Sequence, residues 1–167
     1  MYEEGTGILM YGIVFVCHGN ICRSPMAEFI LRDLLAKSGA RGNFIITSRG
    51  VSDEEIRRGV GAPVYPPAAA ELEAHGIDCR GKRAQKLSPA EYGSNDLIVC
   101  MDAGNVREAR RIFGGDPEKK IRRMMDFTTR PGNVADPWYS GRFDITYRDI
   151  REACEGIAAY IVRNRIF

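Results

Sequence analysis

No stretch of this 167-residue chain approaches the roughly 20 consecutive apolar residues of a membrane-spanning helix, so no helical membrane protein is expected. Nor is there a marked charge imbalance. Twenty-four Lys and Arg against 22 Asp and Glu leave a net +2, too little to point to a nucleic-acid partner or a membrane surface. Two short basic runs, "REARR" (107–111) and "KKIRR" (119–123), read as a solvated helix face and a loop. The five cysteines, Cys17, Cys22, Cys79, Cys100 and Cys154, are odd in number and hold no C-x2-C knuckles. That pattern speaks against a disulfide framework and a zinc knuckle, and thiols are expected. The opening "MYEEGTGILMYG" lacks the basic and long apolar regions of a secretory signal, which makes cytoplasmic residence the expectation. Internal repeats and low-complexity segments are also missing.

What is present is an average soluble composition, 44% hydrophobic and 28% charged, in a chain long enough for one well-buried core. Residues 1–11 carry no periodic signal and read as an N-terminal extension, with Met10 as an alternative start; residues 12–167 read as one domain. From Gly12 the pattern alternates. "GIVFVC" (12–17), "NFIITS" (43–48), "DLIVCM" (96–101) and "KIRRMMDF" (120–127) are expected as strands. Helices are expected over 25–39, about 67–75, from the third strand to about 113, and over 145–166. Ser24 is positioned to cap the first helix, Pro25 suits its first turn and Gly39 its end. The alternation implies an α/β fold: a single domain with a four-stranded parallel sheet, helices on both faces and a phosphate-binding loop after the first strand. Ligands of such sheets bind beyond the carboxyl ends of the strands.

The stretch "VFVCHGNICRSPMAE" (14–28) falls at such an end. Between Cys17 and Arg23 lie His18, Gly19, Asn20, Ile21 and Cys22, a short loop whose backbone N–H groups converge on a helix N-terminus. Gly and Asn tolerate the left-handed backbone such a curl needs. Arg23 adds a planar fork suited to two phosphate oxygens. The field that attracts an anion also favours negative charge on the Cys17 sulfur, which becomes a nucleophile beneath a bound phosphoryl group. Ser24 can donate its hydroxyl to that sulfur. Departure of an alkoxide or phenoxide needs a proton, and "NVADPWYSG" (133–141) offers Asp136 beside the flat walls of Trp138 and Tyr139.

"VCHGNICRSPMAE" near one end and "DPWY" near the other resemble the low-molecular-weight protein tyrosine phosphatases; "CMDAGN" (100–105) and "AHGID" (74–78) extend the likeness over residues 12–163. The resemblance implies hydrolysis of phosphotyrosine and small aryl phosphates, with Cys17 forming a phosphocysteine. It gives Arg23 as the phosphate clamp and Asp136 as general acid, then base. His18, Gly19, Ile21 and Cys22 complete the binding loop, with Trp138 and Tyr139 at the substrate; Asn20, Ser24, Ser48 and His75 form the supporting hydrogen-bond network. Cys22 is implied as a reversible disulfide partner for Cys17. No cofactor or metal is called for. The partner expected is a phosphotyrosine-containing protein, with inorganic phosphate as product and inhibitor, and neither nucleic acid nor membrane.

Three departures stand out. His18 replaces the apolar residue or Thr of many relatives, Trp138 replaces a commoner Tyr, and Asp53 to Glu55 lie where eukaryotic members carry an aromatic wall. Short and acidic, that wall suggests a bacterial style of enzyme. Three rival readings remain. Protein-arginine phosphatases resemble the loop but typically place Thr where Ile21 stands. Thiol-dependent arsenate reductases need a resolving cysteine pair, for which only the isolated Cys79 and Cys100 are available. A non-catalytic phosphate-binding module would have no reason to keep Cys17, Ser24 and Asp136 together.

Overall fold

Ile13, Val14, Phe15 and Val16 have no exposed surface, and as a strand they send alternate side chains to opposite faces. This one segment therefore nucleates two cores. In the computed structural model, which describes residues 2–4, 8–40 and 43–164, it is the centre of β2 (Ile8–Cys17). β2 pairs in parallel with β3 (Asn43–Gly50) on one side and β6 (Leu97–Cys100) on the other. β7 (Ile121–Arg123) adds in parallel beyond β6. The parallel order is thus β3-β2-β6-β7, and β1 (Tyr2–Glu4) joins antiparallel to the start of β2, with Tyr2 opposite Met10. The expected four-stranded parallel sheet is present.

Helices cover both faces. Ile13 and Phe15 face α1 (Arg23–Ser38), α2 (Pro66–Ala74) and α6 (Phe143–Arg163), where Met26, Ile30, Leu31, Leu72, Ile150 and Ile157 are fully buried. The three-to-four-residue spacing of the buried side chains on α1 and α6 makes one apolar stripe on each. On the other face Val14 and Val16 meet Ile98, Cys100 and Ala109, the last from α4 (Ala103–Phe113). Two short helices, α3 (Glu91–Ser94) and α5 (Pro137–Ser140), sit in connecting segments. No helix among the described residues is long and apolar enough to cross a membrane.

Several expectations shift in detail. β2 begins at Ile8 rather than residue 12, so residues without an alternating signal still pair along the sheet. β7 ends at Arg123 and Met124–Phe127 turn as a short 3-10 helix, because an apolar run of that length fits strand or turn equally well. A hairpin of β4 (Ile56–Arg57) and β5 (Val60–Gly61) was not foreseen. Arg58 and Gly59 at its tip have φ of 53° and 76°, the doubly left-handed turn that suits a two-residue hairpin. Finally, α1 starts at Arg23, its N-cap Cys22 makes no side-chain cap bond, and Ser24 caps nothing. Its hydroxyl is engaged elsewhere.

Candidate active site

The four parallel strands end at Cys17, Gly50, Cys100 and Arg123, and the segments that follow them build one site. The loop from Cys17 to Arg23 is shaped by Asn20, whose φ of 60° makes it the left-handed residue of the loop; Gly19 is not in that region. Gly19 instead matters for proximity, since a Cβ there would lie 3.1 Å from Glu55 Cγ. Asn20 is 1% exposed, and its carboxamide is used at every point. Oδ1 accepts from the Gln85 backbone N–H at 2.9 Å, while Nδ2 donates to Ser24 Oγ at 2.9 Å and to Ser48 Oγ at 3.0 Å. Ser48 in turn donates to Glu28 Oε1 at 2.7 Å. Glu28 is buried but compensated by Arg32 at 3.0 Å and Lys82 at 3.4 Å. Burial pushes the Lys82 ammonium below its ordinary range despite Glu28.

This chain has a direction. Ser24 Oγ accepts from Asn20, and its single proton has two acceptors within reach, Cys17 Sγ at 2.9 Å and the Arg49 carbonyl at 3.4 Å, the sulfur being the nearer. The loop thereby brings a hydrogen-bond donor against the sulfur from below.

Arg23 is 3% exposed and gathers groups from three strand ends. Nη1 donates to Asp102 Oδ2 at 2.8 Å and to the Val134 carbonyl at 3.0 Å, and Nη2 lies 3.5 Å from Asp136 Oδ2. Burial opposes the guanidinium charge, but Cys17, Asp102 and Asp136 outweigh it and raise the Arg23 pKa. Asp102 does double duty, since its Oδ1 caps α4 by accepting from Asn105 N at 2.8 Å. Asp136 is the N-cap of α5, its Oδ1 accepting from Trp138 N at 3.0 Å, which leaves Oδ2 facing Arg23.

Over Cys17 and Arg23 opens a cavity of ≈ 250 Å³. Asp136, Trp138 and Tyr139 form one wall, and the Trp138 ring rests on Tyr65 with centroids 4.9 Å apart. His18, Glu54 and Glu55 form the other, with His18 Nε2 2.8 Å from Glu54 Oε1. Gly19, Ile21 and Cys22 also line it. Cysteine, guanidinium and carboxyl, up to 119 positions apart, thus share one small cavity.

The family description "Low molecular weight phosphotyrosine protein phosphatase" matches residues 12–166. The chain belongs to that family. It is 35% identical over 158 residues to the low molecular weight protein-tyrosine-phosphatase YfkJ of Bacillus subtilis, covering 93% of this chain and 99% of that protein. The crystal structure of YfkJ superposes with a TM-score of 0.87 at 34% identity, over 93% of this chain and 97% of that one. The B. subtilis arginine phosphatase YwlE, solved with a phosphorylated active-site serine, superposes with a TM-score of 0.77 at 26% identity, over 92% and 97% of the two chains.

Among the residues expected from the sequence of this phosphatase, Asn20, Ser24 and Ser48 lie together beneath the loop, joined to Cys17 as described. His75 stands apart. It ends α2, its Nδ1 lies 2.9 Å from the Glu71 carbonyl oxygen, and its ring stacks on Tyr147 with centroids 3.7 Å apart. Gln85, Glu28 and Lys82 complete the network in its stead. Asp102 and Val134 were not foreseen either. The signal for Asp102 was an acidic residue just past a buried strand, where this sheet type places its ligands. All five cysteines are free and buried. Burial, followed by the charges of Cys17 and Asp136, pushes the Cys22 thiol up to about 12, so it stays neutral beside Cys17. Burial likewise raises Cys79, Cys100 and Cys154.

Proposed function

We propose that the protein hydrolyses phosphotyrosine in proteins, and small aryl phosphates, through a phosphocysteine on Cys17. The observation that carries this reading is the shared cavity: Cys17 at its floor, Arg23 beside it and Asp136 at its wall. The phosphoryl group enters over the loop, where backbone N–H groups and the α1 N-terminus attract its charge. Arg23 has five N–H donors, and Nη1 spends its two on Asp102 and Val134, leaving Nε and Nη2 for phosphate oxygens. Cys17 Sγ attacks phosphorus in line. As the S–P bond forms, the P–O bond to the tyrosyl oxygen breaks, and that oxygen takes the proton of the Asp136 carboxyl. Water then attacks phosphorus and gives a proton to the Asp136 carboxylate; the S–P bond breaks, and the sulfur departs into the Ser24 hydroxyl. The products are tyrosine and inorganic phosphate, which as an occupant of the same loop inhibits.

Trp138 and Tyr139 suit the aryl ring, and Ile21 in the cavity lining adds bulk where a flexible phosphoguanidino group would need room. In this reading His18, Gly19 and Cys22 belong to the binding loop, and Cys22 also forms a protective disulfide with Cys17 under oxidation. Residues 12–167 are the catalytic domain, whose sheet Ile8–Tyr11 and Tyr2–Glu4 of the 1–11 extension continue, and the enzyme acts in the cytoplasm without nucleic acid or membrane. Phosphoarginine is the second reading, favoured by the likeness to YwlE and by the carboxylates facing the cavity. The deciding experiment compares kcat/KM on a phosphotyrosyl and a phosphoarginyl peptide, side by side. Preference for phosphotyrosine is expected; preference for phosphoarginine would keep Cys17, Arg23 and Asp136 in their roles but overturn the aryl pocket, and turnover of neither would overturn both.

A further inference from the structure

An anion-binding cavity gains nothing from carboxylates in its wall, yet Glu54 and Glu55 line this one. Among the described residues the Glu54 carboxylate pairs only with His18, and both side chains are more than half exposed. Glu55 is half-buried and makes no ion pair among the described residues. Glu55 also lines a neighbouring groove with Arg57 and Arg83, neither of which comes within ion-pair distance of its carboxylate. Asp136 lines the same cavity, and its one cation among the described residues besides His18, Arg23, already serves Asp102 and Asp136. Once phosphate occupies the loop, the mouth of the cavity therefore presents carboxylates and one histidine.

We propose that Glu54 and Glu55 are specificity-determining residues that select phosphotyrosines flanked by Lys or Arg in the substrate chain. This rests on the tyrosine phosphatase reading above. The physics is that of a charged rim: each carboxylate attracts a cation of the substrate and repels an acidic neighbour, so discrimination comes from repulsion as much as attraction. Glu55 is fixed for this role. Its backbone carbonyl accepts from Ala62 N at 2.9 Å and its side chain lies over Gly19, so the hairpin of β4 and β5 holds the carboxylate against the loop. Glu54 is braced by His18, which belongs to the loop itself.

The test measures kcat/KM for two phosphotyrosyl peptides of equal length, one with Lys and one with Glu on either side of the phosphotyrosine. It uses the wild type at low and high salt and the Glu54→Gln/Glu55→Gln double variant. With two rim charges contributing, the Lys-flanked peptide should be preferred by about 10-fold at low salt. The preference should shrink as salt screens the rim, and the double variant should bring it to within about twofold. Equal turnover of the two peptides by the wild type, or a preference that salt and the double substitution leave unchanged, would overturn the assignment. The salt series on the wild type decides the matter even if the double variant fails to fold. Turnover of neither peptide would instead overturn the tyrosine phosphatase reading beneath it.

Discussion

Asp136 carries the proton of the proposed reaction, and two contacts hold its carboxyl in place. Trp138 N–H donates to one oxygen and Arg23 faces the other, so the side chain that caps a one-turn helix is also aimed at the guanidinium proposed to hold phosphate. Its value depends on how badly the leaving oxygen needs a proton. Asp136→Ala should lower kcat/KM by about 10²-fold or more on alkyl and weakly activated aryl phosphates, and by much less on esters of acidic phenols. A leaving-group series measures this directly. A uniform loss across the series would assign Asp136 to the N-cap alone. Beneath Cys17 the polarity is equally legible: with Gln85 N–H on Asn20 Oδ1, Asn20 Nδ2 donates along two branches, to Ser48, which donates on to Glu28, and to Ser24, whose own proton has Cys17 as its nearer acceptor and the Arg49 carbonyl as its farther one.

Elements bring these residues within reach, and the tightest fit lies where β3 ends. A Cβ on Gly50 would stand 2.7 Å from the His18 carbonyl oxygen, 3.0 Å from Gly19 C and 3.1 Å from Asn20 N, all backbone atoms that cannot swing aside. Gly50 also donates to Gln85 O and accepts from Leu87 N, both at 2.8 Å, which stitches the connector to β3 and places Gln85 N–H under Asn20. Gly50→Ala should therefore displace the loop, lowering kcat/KM by at least about 10-fold, since small misplacements at a reacting centre are expensive. The stability cost should be about 1–3 kcal/mol, read from thermal melting beside the kinetics. Unchanged kcat/KM in a folded variant would show that the loop yields. The strands and helices that carry the site were legible because β2 is an unbroken apolar run and α1 and α6 are apolar on one stripe. The β4–β5 hairpin was not, because Arg58–Gly59 lacks the Asn-Gly or Asp-Gly signal of its turn. The loop motif and Asp136 could be read from residue type and order. Glu28, Lys82 and Gln85 could not, since a helix glutamate, a loop lysine and a backbone N–H carry no mark in sequence of the partners that folding gives them.

At the scale of the whole molecule, Arg23 is where the strand ends are joined. At the start of α1 after β2, it pairs with Asp102 after β6 and reaches Val134 and Asp136 after β7, so the proposed phosphate clamp is also a tie across the sheet. Asp102→Asn isolates the charge in that tie, because asparagine caps a helix as well as aspartate and α4 keeps its N-cap. The substitution leaves a buried guanidinium short of one counter-charge, at a cost of about 2 kcal/mol, the worth of a hydrogen bond to a charged group. For a chain of this size that corresponds to a fall in Tm of about 4–8 °C. The Val134 carbonyl and Asp136 still hold the guanidinium in place, so the shortage of negative charge outweighs the loss of orientation. Inorganic phosphate binding to the folded state should then raise the Tm of the variant more than that of the wild type, because the dianion supplies what Asp102 no longer does. Thermal melts with and without saturating phosphate check this. A deficit that phosphate leaves unchanged would mean that Asp102 braces the sheet ends without taking part in the charge balance of the phosphate site.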